Sequence, residues 1–388
     1  MRLQLSQTRV QHKHPHESSS ATGVAQMALL CAAASLPLAR PALADTAPER
    51  GEIRFKYLDY RETQPGADRV NVRASTASIM APLGEDWSVT GSYIVDSISG
   101  ASPAFHTERL TKLYDLRRAW GAGVTRYLPQ GSLSVAGNYS RESDYVSRSL
   151  SVQGSLSTES KNTTLTAGVG TQADRIEPNG RNIRDTKNVN DFLVGVTQVL
   201  SPQDIAQATL SHSNGHGYYT DPYKLADERP RQRRTTRLLT RWNHHFESTG
   251  GTSRITYRYS QDSWAIRTHT ATIEYAQPLS DGWVLTPLLR AYSQTAASFY
   301  LPVNPASPAK PTLPPASALY FSEDQRLSAF GALTVGLKVE RQIDRDWSVD
   351  LKVDRYQQRA SWSLSGGGDA LLKPFNATWV QLGVSRLF

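Results

Sequence analysis

The chain has 388 residues, a net charge of +8, a single cysteine and a mean hydropathy of −0.46. Beyond the first 45 residues it has no run of 18 apolar residues, which excludes a helical membrane span but not a barrel, whose strands are half polar. The excess of positive charge is mild and gives no reason to expect nucleic acid as a partner.

At the N-terminus, an apolar stretch at residues 24–39 follows Arg2, Arg9 and Lys13 and precedes Ala42, Leu43 and Ala44. This order predicts a secretory signal peptide over residues 1–44. Cys31 lies inside it, after Leu30, where a lipoprotein signal wants a small residue. Taking 44 from 388 residues leaves 344 without cysteine, and taking the leader's +3 from +8 leaves about +5. Disulfides, thiolate metal sites and c-type haem attachment are thereby excluded from the mature chain.

From residue 52 onward, alternation dominates. Ile53, Phe55 and Tyr57 oppose Glu52, Arg54 and Lys56, while Leu133, Val135 and Tyr139 oppose Ser132, Ser134 and Asn138. Leu327, Ala329, Leu333, Val335, Leu337 and Val339 oppose Arg326, Ser328, Thr334, Lys338 and Glu340. Next, Trp347, Val349, Leu351 and Val353 oppose Ser348, Asp350, Lys352 and Asp354. Side chains two apart share a strand face, so each run has one apolar and one polar face. The longest runs exceed an ordinary strand of about 5 to 6 residues and suit the roughly 9 to 11 that cross a bilayer at a tilt.

A short turn followed by tryptophan recurs, as Pro82-Leu83-Gly84-Glu85-Asp86-Trp87, Pro278-Leu279-Ser280-Asp281-Gly282-Trp283 and Gln342-Ile343-Asp344-Arg345-Asp346-Trp347. Gly, Asp, Ser and Pro supply the turn, and each indole is set to open a strand at a headgroup boundary. Weaker relatives at 128–131, 157–161, 200–204 and 247–251 bring the short turns to about seven. With both termini on one side, the chain is expected to form about sixteen antiparallel strands. Their expected starts are near residues 52, 69, 87, 115, 132, 145, 162, 188, 205, 232, 252, 265, 283, 326, 347 and 375. Longer loops are expected on the other side, near 99–112, 173–187, 216–231, 296–325 and 359–373. In the longest, Pro302, Pro305, Pro308, Pro311, Pro314 and Pro315 forbid helix or ladder pairing.

The predicted fold is all-β: a transmembrane antiparallel up-and-down β-barrel over residues 45–388, in a Gram-negative outer membrane with both termini periplasmic. At its end, Val380, Leu382, Val384 and Phe388 share a face, and the terminal Phe388 resembles the signal read by the barrel assembly machinery. Arg386 departs from that pattern and is expected to snorkel to the headgroups.

Several segments carry a resemblance: Gly217-Tyr218-Tyr219-Thr220-Asp221-Pro222-Tyr223-Lys224, Asp227-Glu228-Arg229-Pro230, Asp262-Ser263-Trp264-Ala265-Ile266-Arg267-Thr268-His269-Thr270, and residues 293–300. By these the chain resembles, from about Gly51 to Phe388, an uncharacterised family of bacterial outer-membrane proteins known as domain of unknown function three-five-seven-zero. The resemblance implies an outer-membrane barrel, and a pathway link to small lipoproteins and to flavin-transfer or redox maturation, without an activity.

Alternation places Arg54, Lys56, Arg237, Arg241, Arg254, Arg258, Arg290, Arg326, Lys338 and Lys352 in the lumen, against Glu52, Glu274, Glu340, Asp350 and Asp354. Such an excess of cations either selects anions or braces the wall through cross-strand pairs. Tyr218, Asp221, Pro222, Tyr223 and Lys224 read as a loop contact for a ligand or as a rigid cap. Ser211-His212-Ser213-Asn214-Gly215 resembles an outer-membrane phospholipase element, but adjacent strand residues point to opposite faces, so His212 cannot serve Ser213. His212 with His216, and His244 with His245, lack a third ligand at diagnostic spacing. No catalytic, cofactor or metal site is therefore expected. The expected role is a porin-like channel for small polar, in particular anionic, solutes. The alternative is a non-conducting scaffold or receptor for a partner lipoprotein or surface ligand, in a redox- or flavin-related pathway. Outer-membrane lipid is the expected surrounding in either case.

Overall fold

The computed structural model describes residues 46–388; the predicted signal peptide and Cys31 lie outside the described residues. In chain order the strands are Glu52–Gln64 (β1), Ala67–Leu83 (β2), Trp87–Phe105 (β3), Glu108–Leu128 (β4), Gly131–Arg141 (β5), Tyr145–Ser157 (β6), Thr163–Ile176 (β7), Asp185–Val199 (β8) and Asp204–Gly217 (β9). They continue as Asp227–Glu228 (β10), Gln232–Phe246 (β11), Gly251–Asp262 (β12), Arg267–Pro278 (β13), Trp283–Gln294 (β14), Phe321–Ser322 (β15), Phe330–Gln342 (β16), Trp347–Arg359 (β17) and Phe375–Leu387 (β18). Among the described residues sixteen strands, all but β10 and β15, close into one antiparallel barrel, with β1 paired to β18. Closure leaves no sheet edge with unpaired backbone groups, the condition for a sheet in hydrocarbon.

The seven turns at the end that carries the termini are short, at 84–86, 129–130, 158–162, 200–203, 247–250, 279–282 and 343–346. Gly84 (φ 66°) and Gly282 (φ 74°) take left-handed conformations that such turns require. At the same end Gly51 and Phe388 exchange two backbone hydrogen bonds of 2.9 Å, sealing β1 to β18. Each tryptophan of the repeated turn faces outward, and each lies directly across from an arginine: Trp87 from Arg126, Trp283 from Arg341, Trp347 from Arg386. The guanidinium carbons stand 5.4, 4.9 and 5.3 Å from the ring centroids. Arg386 is thus one of three outward cation–π partners at the rim rather than an isolated exception.

Above this girdle the outward faces are apolar, with Phe55, Ile79, Val124, Leu133, Leu150, Val194, Leu210, Leu289, Val335 and Leu382 all exposed. Exposed apolar side chains in a continuous band around a barrel are the lipid face.

Towards the opposite end, β1 to β4 reverse this pattern. Leu58, Tyr60, Val70, Val72, Ala74, Ile98, Leu113 and Ala377 form a buried apolar cluster on the inner face. Meanwhile Asp59, Arg61 and Arg73 stand on the outer face as a salt-bridged group. The expected loop at 99–112 is accordingly corrected: β3 and β4 run through it with 19 and 21 residues, and only His106 and Thr107 form the turn. Apolar side chains on the inner face give these strand ends a core of their own beyond the membrane band, so they hold as sheet instead of opening into loop.

Candidate functional site

The lumen and its outer mouth gather the polar chemistry. Arg54 and Lys56 share the inner face of β1, and Arg254, Arg258, Arg290, Lys338 and Lys352 that of their strands, each opposite outward apolar neighbours. Several are neutralised locally: Arg54 pairs with Glu52 and Lys338 with Glu340, while Lys352 lies 3.0 Å from Asp354 and Arg254 3.1 Å from Glu274. By contrast Arg237, Arg241, Arg258 and Arg290, on β11, β12 and β14, have no ion-pair partner among the described residues. Arg258 lies within electrostatic reach of the other three, and Arg290 is held by Thr272 Oγ1 at 3.2 Å. The inner wall thus carries a patch of arginines outside any ion pair, with Asp191 and Asp262 within electrostatic reach of Arg237 and Glu274 of Arg241, next to a polar cavity of about 290 Å³ lined by Lys187, Arg233, Arg237, Ser213 and Asp262 among others.

Arg326 is corrected. It lies in a 3₁₀ turn, Gln325–Leu327, because the strand expected near residue 326 begins at Phe330. The segment 295–329 packs on the mouth through its flanks, 295–303 and 321–329, while residues 304–320 between them are largely exposed. It meets the 218–231 segment as the β10–β15 ladder, and both reach the β3–β4 tip. Leu225 N donates to Ala104 O at 3.0 Å, His106 N to Glu323 O at 2.9 Å, and the His106 ring nitrogen Nε2 lies 2.8 Å from Leu301 O.

At the junction Asp324 accepts from Arg326 (2.8 Å) and Arg229 (2.8 Å); Arg326 also reaches Asp221 (2.8 Å) and Arg229 reaches Asp227 (2.8 Å). Burial alone would raise the Asp324 carboxyl, but Arg326, Lys224 and Arg229 hold it well below the usual range. Burial pushes Glu323 up to about 6 and lowers both Lys224 and His106. A second buried cluster, of Trp264, Ile266, Ala297, Phe299 and Leu327, roofs the far side, with Trp264 Nε1 donating to Gln232 O at 3.0 Å.

The loop motif is absorbed into this roof. Asp221 serves Arg326, Tyr223 donates to Asp144 at 2.9 Å, Lys224 donates to Pro103 O, and Tyr219 packs edge-on against Trp264. Tyr218, pushed up to about 12 by burial, is anchored through its backbone to Thr186, and Pro222 is half-buried between these contacts. Ser213 faces the cavity, whereas His212 faces outward and lies 3.0 Å from Thr236 Oγ1, so the two share no face. His244 sits 2.8 Å from Asp204, and His245 lies on the other face beside Thr252. The histidine pairs are not brought together.

Sequence reasoning missed a group of three buried acids, Asp115, Glu142 and Asp144, whose carboxylate oxygens lie within 4.8 Å of one another. Burial pushes Glu142 up to about 8 and Asp144 up to about 6. Two acids in the tight turn 142–144 were the available signal; the partner on β4 is distant in sequence.

A closed antiparallel barrel with an outward apolar band, an aromatic girdle and a polar lumen defines a transmembrane β-barrel of the outer-membrane type. The chain belongs to the family described as a protein of unknown function, DUF3570, whose pattern matches residues 20–112, 110–184 and 181–379. Among solved structures it is similar to a bacterial polysaccharide outer membrane secretin, at TM-score 0.50 and 9% identity over 87% of this chain and 98% of that one. It is also similar to CdiB from Acinetobacter baumannii (TM-score 0.47, 9% identity, 85% of this chain, 60% of that one) and to OccD3 (OpdP) from Pseudomonas aeruginosa (TM-score 0.45, 8% identity, 88% and 91%). No protein of curated function matches it in sequence.

Proposed function

We propose that the barrel is a porin-like passage for small polar solutes that favours anions, set in a Gram-negative outer membrane with both termini periplasmic. The observation that carries this reading is the patch of Arg237, Arg241, Arg258 and Arg290, inward-facing and without an ion-pair partner among the described residues. Unpaired cations on a low-dielectric wall concentrate the opposite ion, and a barrel of this strand number has room for an aqueous lumen. Phe388 serves as the signal to the barrel assembly machinery. Reversal potentials in planar bilayers under a salt gradient test the passage: chloride-selective currents are expected, weakened in Arg237→Gln/Arg258→Gln, and cation-selective currents in the wild type overturn it.

The ion-paired segments across the mouth favour a second reading, a non-conducting scaffold or receptor for a small lipoprotein or surface ligand. Shortening residues 301–320 separates the two. A barrel that conducts neither whole nor shortened is the scaffold. Neither reading includes a catalytic step; lipid hydrolysis lost in Ser213→Ala would contradict both.

A further inference from the structure

We propose that Asp115, Glu142 and Asp144 bind a hard divalent cation, calcium in preference to magnesium, where the 142–144 turn meets the inner face of β4. The three residues are 3%, 6% and 4% exposed, and one carboxylate oxygen from each lies within 4.8 Å of the others. Two of these groups present buried oxygens without a hydrogen-bond partner, Asp115 Oδ2 and Glu142 Oε2. The other Asp115 oxygen is occupied by the backbone amides of Leu116 (2.8 Å) and Ser143 (3.3 Å), which fix the turn against the strand. Asp144 Oδ2 accepts from the Tyr223 hydroxyl at 2.9 Å.

Charge balance points the same way. The neighbouring cation, Arg117, is committed to Asp96, with Nη2 at 2.6 Å and Nε at 2.8 Å. Neither Asp115 nor Glu142 has an ion-pair partner among the described residues. Buried carboxylates this close repel unless a cation or protons lie between them, and a divalent ion offsets two charges while accepting the orphaned lone pairs.

The donor set selects the ion. All three donors are carboxylate oxygens, which suit calcium, magnesium and manganese and not the metals that favour imidazole or thiolate. Calcium accepts carboxylates in one- or two-oxygen modes with irregular geometry, whereas magnesium demands a near-octahedral shell and keeps its waters. One strand residue and two residues of a tight turn make an irregular, largely dry site.

The site is also tied to the mouth. Tyr223 belongs to the 218–231 segment, and its hydroxyl accepts from Asn179 N at 3.0 Å, while Asn179 Nδ2 donates to Ser143 Oγ at 2.8 Å. An ion there clamps the segments 142–144, 177–184 and 218–231 together.

The test uses the full refolded barrel, stripped with EDTA, with terbium as a luminescent calcium analogue excited through nearby tyrosine. One terbium per chain is expected, displaced by calcium at concentrations at least about tenfold below those of magnesium. Glu142→Gln and Asp115→Asn, checked by heat-modifiable gel mobility, are expected to weaken binding at least about tenfold. Calcium is also expected to slow amide exchange at residues 142–144 and 220–224 of the unmutated chain, which localises the site even where a variant does not fold. Absence of saturable binding, binding unchanged in folded Glu142→Gln and Asp115→Asn, or calcium protection elsewhere overturns the proposal.

Discussion

Asp324→Asn is the sharpest probe of the mouth. Asp324 is fully buried and receives both Arg229 and Arg326. Losing a buried partner outright costs roughly 3 to 5 kcal/mol. Here each guanidinium keeps a second carboxylate, Asp227 or Asp221, and Arg326 is partly open to solvent, so a loss of about 2 to 3 kcal/mol is expected. The loss is local: the segment hangs from the barrel through its own hydrogen bonds, while the closed sheet keeps all of its ladders. Converted at about 1.4 kcal/mol per decade, it raises the open population of residues 321–328 by about 30- to 140-fold. Hydrogen exchange followed by mass spectrometry reads this directly, because the Ser322 amide is bonded to Phe299 O and the Leu301 amide to Ser322 O. Exchange in β16 and β17 should stay unchanged. A rise below about threefold at 321–328 in a folded variant, or equal loosening across the barrel wall, refutes the view that this ion network holds the mouth.

Two further outcomes follow from the same region. Trp264→Ala removes the centre of the second apolar cluster and is expected to cost about 3 to 5 kcal/mol locally, read as exposure of residues 263–266 and 297–300 to exchange while the barrel still migrates as folded. Glu323 has its pKa raised from 4.5 to about 6, so its contribution favours the closed mouth below pH 4.5 and is lost as pH rises through about 6, a change of about 2 kcal/mol. His106, lowered by burial and 3.6 Å from Glu323, pulls in the opposite direction as pH falls, and Lys224 lies within electrostatic reach of the carboxyl. The difference between wild type and Glu323→Gln in exchange at 321–328, corrected for intrinsic rate, isolates the carboxyl. Equal pH dependence in the two would refute its role.

Strand number, turns and pairing were legible because they rest on local chemistry. Alternation at period two, Gly and Asp in tight turns and a tryptophan opening a strand are each written within a dozen residues. Hence β1, β3, β6, β11, β14, β17 and β18 begin where the sequence places them. Arginines across from these tryptophans were not legible, since Trp283 and Arg341 are joined only by register. The mouth was half legible. Proline density marked 296–325 as irregular, but its inward course depends on Asp324 finding Arg229, and on Asp221 finding Arg326. Apart from Arg326, the charges assigned to the lumen lie on strand faces opposite exposed apolar side chains; Glu52, Glu340 and Asp354, which pair with Arg54, Lys338 and Lys352, stand two residues along the same strand, whereas Arg254 and Glu274 are joined only by register. The acids Asp115, Glu142 and Asp144 meet only because β4 outruns the turn beside it.

The reversed pattern of β1 to β4 fixes where the membrane band ends, and two substitutions on adjacent residues test it. Val72 is 2% exposed and faces the inner apolar cluster; Arg73, next in sequence, faces outward with Asp59 Oδ2 3.4 Å away. If the lipid reached this level, Arg73 would sit in hydrocarbon, and Arg73→Leu would stabilise the barrel by up to about 2 to 4 kcal/mol. If the band has ended, the outer face meets water or headgroups, and the same change stays within about 0.5 kcal/mol. Val72→Asn then behaves as in a soluble core: it loses apolar burial and strands an amide, costing about 2 to 4 kcal/mol. Reversible urea unfolding in lipid vesicles measures both. A neutral Arg73→Leu beside a costly Val72→Asn places the boundary below residue 73. Stabilisation by Arg73→Leu would extend the band past it, and the inner apolar cluster would then lie at membrane depth.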